Sequence, residues 1–194
     1  MKNENKESLV SSQQKHFVGF TGNAGIGKST LAHEVSDYFN GVVIPYAKPL
    51  KESLVVLTGL DMDFFTNIEL KEEIIPGLDK TPRQIMQLMG TEFARDMIHP
   101  DFWLWRMRQN ISEYSSRDIF IDDVRFENEA QLVRDNGGVI IHLIRNYEKV
   151  TDEIDHASEK PVRKLKCDLI YDIKTHTPEV SASHIIDMLR RCEK

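Results

Sequence analysis

Residues 22–29 read Gly-Asn-Ala-Gly-Ile-Gly-Lys-Ser and satisfy G-x-x-x-x-G-K-[ST]. The stretch follows the apolar run HFVGFT and opens an amphipathic stretch, the context in which this pattern carries chemistry. Its glycines let the backbone curl so that main-chain N–H groups face a polyphosphate, while the helix N-terminus adds partial positive charge. The candidate phosphate-binding residues are Asn23, Ala24, Gly25, Ile26, Gly27, Lys28, Ser29 and Thr30. Lys28 supplies a cation for the β- and γ-phosphates, and the Ser29 hydroxyl can hold magnesium. The bland alternative is a glycine-rich turn that binds nothing, and strand, spacing and helix together outweigh it. A nucleoside triphosphate is the implied ligand, and its use is open.

A second constellation lies at 119–125, Ile-Phe-Ile-Asp-Asp-Val-Arg, an apolar run ending in two carboxylates and a cation. In an open parallel sheet this strand end falls beside the phosphate loop. Carboxylates there can bind magnesium, and a guanidinium can form a forked contact to phosphate oxygens. Asp123 and Arg125 are therefore the catalytic candidates outside the loop, with Ser29 and Asp123 as the magnesium pair. The competing reading makes the Asp a helix cap and pairs Arg125 with Glu127 or Glu129.

The elements that must position these residues alternate. Segments rich in β-branched and aromatic residues at 16–21, 42–44, 119–124, 139–144 and 169–173 recur between helix-like stretches, which predicts an α/β fold with a five-stranded parallel sheet and helices on both faces. A first helix is expected over 28–38, stopped by Asn40-Gly41. Thr81, Pro82 and Gln84 form a capping box ahead of Ile85, Met89, Phe93 and Met97, which repeat every fourth residue and predict one long helix. Arg83, Gln87 and Thr91 share another face, which either lines a cleft or is solvated. Further helices are expected over 102–114 and after Thr177-Pro178, with a tight return at Asn136-Gly137-Gly138. Segments 58–80 and 146–166 have weak periodicity and high charge and read as mobile insertions.

The chain has 194 residues, 40% hydrophobic and 29% charged, which suits one domain with a buried core. Its net charge of −6 argues against stable nucleic-acid binding while allowing a local phosphate pocket. Cys167 and Cys192 have no metal-ligand spacing, so a reducing cytoplasm is the expected location. No apolar run approaches the ~20 residues of a membrane helix. Residues 1–15 are polar and read as a flexible tail before a single domain over 16–194. No NKxD sequence is present to read guanine, and the chain lacks the length and basic track of a nucleic-acid motor, so a kinase of a small anion fits best.

The ordered set GNAGIGKST, YAKPLKESL, TPRQIMQLMGTEFARDMIHPDFW, DDVRFENEA, GGVIIHLIR and DHASE resembles the deoxynucleoside monophosphate kinases encoded by bacteriophages, over residues 16–191. That resemblance implies the P-loop nucleoside monophosphate kinase architecture, with a monophosphate-binding region over 46–115 and a lid over 146–166. It implies ATP and Mg²⁺ as cofactors, a deoxynucleoside monophosphate as the small partner, and it leaves room for a homodimer. Lys51, Arg83, Gln87, Trp103 and Arg125 would face the acceptor nucleotide, Arg145 would meet the transferring phosphates, and His156 and Glu159 would belong to the lid or its hinge. From the residues alone, Trp103 is as readily a core aromatic, Lys51 a surface lysine, and Arg145 a partner of a nearby carboxylate. A dephospho-coenzyme A kinase-like enzyme and a non-catalytic ATP-binding regulatory module are the rival readings.

Overall fold

The computed structural model describes residues 15–145, 165–174 and 176–192. The lid expected over 146–166 therefore falls almost wholly outside the described residues, as does the tail over 1–15 apart from Lys15, whose ammonium donates to the Ser115 carbonyl. Five parallel strands, β1 (Phe17–Thr21), β2 (Val42–Val43), β3 (Ile119–Ile121), β4 (Val139–Ile144) and β5 (Leu169–Asp172), lie in the order β2-β3-β1-β4-β5. β1 is central and wholly buried; Val18 aligns with Phe120 on one side and Val139 on the other. The chain moves to opposite sides of β1 through its two neighbours, so a crevice opens beyond the C-terminal end of β1. That is where the glycine-rich loop begins.

Helices cover both faces. α1 (Lys28–Tyr38) and α7 (Pro178–Cys192) bury Leu31, Val35, Ile185 and Leu189 against Val18, Phe20, Phe120 and Leu143. α5 (Phe102–Glu113) and α6 (Glu127–Asp135) pack Leu104, Met107, Leu132 and Val133 against Ile119, Ile121 and Ile140 on the other face. α1 stops where expected: Asn40 takes φ 51° and the Gly41 N–H closes the turn onto Ser36.

Between β2 and β3 stand α2 (Lys48–Thr58), α3 (Asp63–Thr66), a 3₁₀ turn (Leu70–Glu72) and α4 (Pro82–Gln87). They share a third cluster of Leu50, Leu54 and Phe65 with Ile85, Met86 and Met89. Segment 58–80, expected to be a mobile insertion, is instead anchored, because Phe65 is fully buried and Ile75 bridges Lys80. The Thr81–Gln84 capping box is present, yet the long helix predicted after it changes pitch. From Leu88 to Ile98 the winding is π-helical, ending with the His99 N–H on the Ala94 carbonyl. The Trp103 indole N–H takes the Gly90 carbonyl inside this stretch at 2.8 Å. With the wider turn, a repeat of four no longer holds one face, and Phe93 and Met97 are exposed.

Candidate active site

The loop leaves β1 at Gly22, whose φ is +140° and where a Cβ would sit 2.5 Å from the Leu143 carbonyl oxygen. Gly27, at φ +99°, has nothing within 4 Å of such a Cβ, so its dihedral rather than crowding demands glycine. Bonding within α1 starts with the Leu31 N–H on the Gly27 carbonyl. The amides of Lys28, Ser29 and Thr30 thus form the helix's open, positive end. The Lys28 ammonium folds back on its own loop, donating to the carbonyls of Gly22 at 2.8 Å and Asn23 at 2.7 Å.

At the tip of β3 the two aspartates diverge. The Ser29 hydroxyl donates to Oδ2 of Asp122, which is 7% exposed, and Asp122 Oδ1 is buried without a hydrogen-bond partner among the described residues. A hydroxyl oxygen beside an unsatisfied carboxylate oxygen suits Mg²⁺, a hard cation that takes oxygen ligands and keeps several waters. Asp123 accepts from the main-chain N–H groups of Tyr46 and Ala47, both at 2.8 Å, and so fastens the entry to α2. Burial, then the charge of Asp122, pushes the Asp123 carboxyl up to about 7 against those two donors. The residue that meets Ser29 is therefore Asp122, not Asp123. Sequence could not separate them, because both neighbours end a strand covered on both faces.

Lys51 on α2, Arg83 on α4 and Arg125 beyond β3 each act electrostatically on Lys71 of the 3₁₀ turn. Burial first, then these three cations, pushes the Lys71 ammonium down to about 8. Arg83 also pairs with the neighbouring Glu72. Of the carboxylates expected to pair with Arg125, Glu127 pairs with Arg134, and Glu129 pairs with Arg95 while accepting the main-chain N–H of Arg125 at 2.8 Å. Lys71 was not singled out by the sequence, because its segment has no periodic pattern to place it. Gln87 is half-buried at the end of α4, one turn from Arg83, whereas Thr91 lies exposed in the π-helical stretch.

Trp103 sits between two hydrophobic clusters, edge-on to Phe102, with its indole N–H committed to Gly90. That is a packing role, and base stacking gains no support from it. Arg145 does not join the cation group. It lines a small, open recess with Gly27, Thr30, Leu31, Ile173 and His176. Its place is thus beside the start of α1. His156 and Glu159 lie outside the described residues.

The profile of the family described as deoxynucleotide monophosphate kinase matches residues 58–174. A putative deoxynucleotide monophosphate kinase of Acanthamoeba polyphaga mimivirus is 30% identical over 184 residues, covering 88% of this chain and 94% of that one. This chain belongs to the deoxynucleotide monophosphate kinase family. The deoxynucleoside-5′-monophosphate kinase of Escherichia phage T5 is 33% identical over 99 residues, a match spanning 48% of this chain and 40% of the phage protein. Shikimate kinase from Aquifex aeolicus, at 16% identity and a TM-score of 0.54 over 90% of this chain and 96% of its own, shares the fold. In this deoxynucleotide monophosphate kinase family member, the family match includes Lys71, Arg83 and Arg125 but not the glycine-rich loop.

Proposed function

We propose that the chain phosphorylates deoxynucleoside monophosphates to diphosphates with ATP, by direct in-line transfer, in the supply of DNA precursors. The observation that carries this reading is the tip of β3, where Asp122 accepts from Ser29 of the glycine-rich loop and Asp123 fastens the entry to α2, the helix of Lys51.

The open end of α1 and Lys28 would hold the β- and γ-phosphates, with the donor nucleoside in the recess by Arg145 and His176. Ser29 and Asp122 are the residues that would hold magnesium, which supplies charge neutralisation on the donor phosphates. Lys51, Arg83 and Arg125 would hold the acceptor's phosphate. A phosphate monoester has a second pKa of ~6, so its attacking oxygen is already ionised at neutral pH and needs no general base. That fits Asp123, whose oxygens serve two main-chain amides. An alcohol acceptor, as in dephospho-coenzyme A kinase, would instead need a carboxylate to receive its proton. Catalysis then rests on positioning and charge neutralisation.

Among the described residues no helix is long and apolar enough to cross a membrane. A cytoplasmic enzyme, in the host if the chain is phage-encoded, is consistent with its soluble composition. A coupled assay of ADP formation across deoxynucleoside and ribonucleoside monophosphates and dephospho-coenzyme A tests the reading. ADP formation dependent on a deoxynucleoside monophosphate is expected. ATP binding with no acceptor-dependent ADP would point to a regulatory module, and a response to dephospho-coenzyme A alone to the rival kinase.

A further inference from the structure

The turn that carries Arg125 is held more firmly than its length requires. Between the end of β3 and the start of α6 three successive main-chain N–H groups are bonded. Val124 donates to the Phe20 carbonyl at 3.1 Å, and Arg125 and Phe126 donate to one oxygen of Glu129 at 2.8 and 3.1 Å. The other Glu129 oxygen accepts from the Arg95 guanidinium, which also lies over the Phe126 ring, 4.1 Å from its centre. Arg95 comes from the π-helical stretch Leu88–Ile98, a winding that is rare and recurs at functional sites.

A glutamate at the third position of a helix commonly reaches back to the N-cap amide, here that of Phe126. Glu129 does more: it takes the N–H one residue earlier as well, and it is matched by a cation from a distant segment. Both side chains are almost wholly withdrawn from solvent. A buried ion pair offsets its desolvation poorly and adds little net stability over apolar packing of the same shape. What this pair adds over such packing is direction, because one carboxylate fixes two donors of the turn on one side and a guanidinium on the other. The main chain of Arg125, from which its side chain sets out, is thereby fixed.

We propose that Arg95 and Glu129 are positioning residues for the acceptor. Through the Arg125 main chain they hold its guanidinium where it meets the acceptor's phosphate, and they tie that point to the helical segment continuing from α4, the helix of Arg83 and Gln87. The inference rests on the phosphotransferase reading above and adds to it two residues that touch neither nucleotide. Misplacing a phosphate contact by about 1 Å costs on the order of 100-fold in rate, so a tie of this kind is felt in turnover well before it is felt in the fold.

Glu129→Gln tests this with a side chain of the same shape. Its one carbonyl oxygen serves the two amides only by turning its NH₂ toward Arg95, or serves Arg95 only by turning its NH₂ toward the amides. Acceptor kcat/KM should fall ~10–100-fold, with the ATP KM within about threefold of wild type. Adding Arg95→Met removes the conflict and leaves the oxygen to the amides, so Arg95→Met/Glu129→Gln should regain most of the loss. Introduced into Arg125→Ala, Glu129→Gln should lower acceptor kcat/KM by less than about threefold further, because residues acting as one unit are not additive. Equal losses in the two backgrounds, a parallel rise in the ATP KM, or no loss in Glu129→Gln overturns the proposal. Arg95→Lys, which keeps a cation but not the fork, should show a smaller loss of the same acceptor-specific kind, and the cycle is run with it if Glu129→Gln does not fold. If the wild type transfers phosphate to no nucleotide, the phosphotransferase reading fails separately. Calorimetric titration with deoxynucleoside monophosphates and inorganic phosphate, which needs no turnover, then repeats the cycle on affinity. Losses that vanish in Arg125→Ala support the positioning role, and losses that are additive or absent overturn it.

Discussion

Replacing Arg95 by alanine should be among the costliest single changes in the molecule, and its cost should depend on pH. The Arg95 guanidinium donates to Glu129 Oε1 and lies 4.1 Å from the centre of the Phe126 ring. The Glu129 side chain is 3% exposed, and its other oxygen accepts the N–H groups of Arg125 at 2.8 Å and Phe126 at 3.1 Å. Truncation leaves this carboxylate buried without its cation, a loss of about 3–5 kcal/mol. Burial already holds the Glu129 carboxyl above the usual range, opposed by Arg95 and the two N–H donors. Because the folded pKa is the higher one, the native state binds more protons, and stability falls as pH rises from the unfolded value of ~4.3 through the folded value. Removing Arg95 raises the folded value further, so the loss should be small near pH 4–5 and full by pH 8. Urea unfolding of wild type and Arg95→Ala at both pH values measures it. The double variant Arg95→Met/Glu129→Gln, which removes both charges, should be more stable at pH 8 than Arg95→Ala alone. A loss below about 1 kcal/mol at pH 8, or an equal loss at the two pH values, would refute the reasoning from a buried, cation-dependent carboxylate.

Three further outcomes follow from the site. Asp122→Asn should leave a folded protein that needs far more Mg²⁺ for turnover, whereas Asp123→Asn should lose about 1–3 kcal/mol of stability by disturbing the bonds to Tyr46 and Ala47; magnesium titration and urea unfolding separate the two. Arg145→Ala should raise the KM for ATP more than that for the acceptor, because it lines the recess by Gly27 and Thr30; equal effects in steady-state kinetics would count against the donor-side placement. Trp103→Phe should cost about 1 kcal/mol through the lost bond to Gly90 and leave the acceptor KM within about threefold, whereas base stacking would make the KM respond strongly.

The sequence was most legible where local chemistry and tertiary need coincide. The glycine-rich loop, α1, β4 and the Thr81 capping box occur where the spacing puts them, because each is specified by its own residues. The change of pitch after Gln87 has no local signal in the sequence; within it the Gly90 carbonyl accepts from Trp103, 13 residues on and brought to it only by packing. The Asp122–Asp123 choice was hidden for a related reason: strand alternation separates neighbours by face, but both faces of this sheet are covered. Arg125 was singled out at a strand end, Arg83 on a polar helix face and Lys51 through resemblance, whereas nothing in the sequence marks Lys71, half-buried in the fold, from any solvated lysine.

Neighbouring residues at the tip of β3 look opposite ways, one to the loop serine and the other to the amides leading into α2. A single peptide unit, about 3.8 Å between Cα atoms, therefore sets the offset between the glycine-rich loop and the entry to α2. Bending there would mean deforming the end of a buried strand. Like the fixed jaw of a calliper, this tip gives the loop and α2 a common reference that stays put. The segments between α2 and α4 can then vary without shifting the loop against the entry to α2.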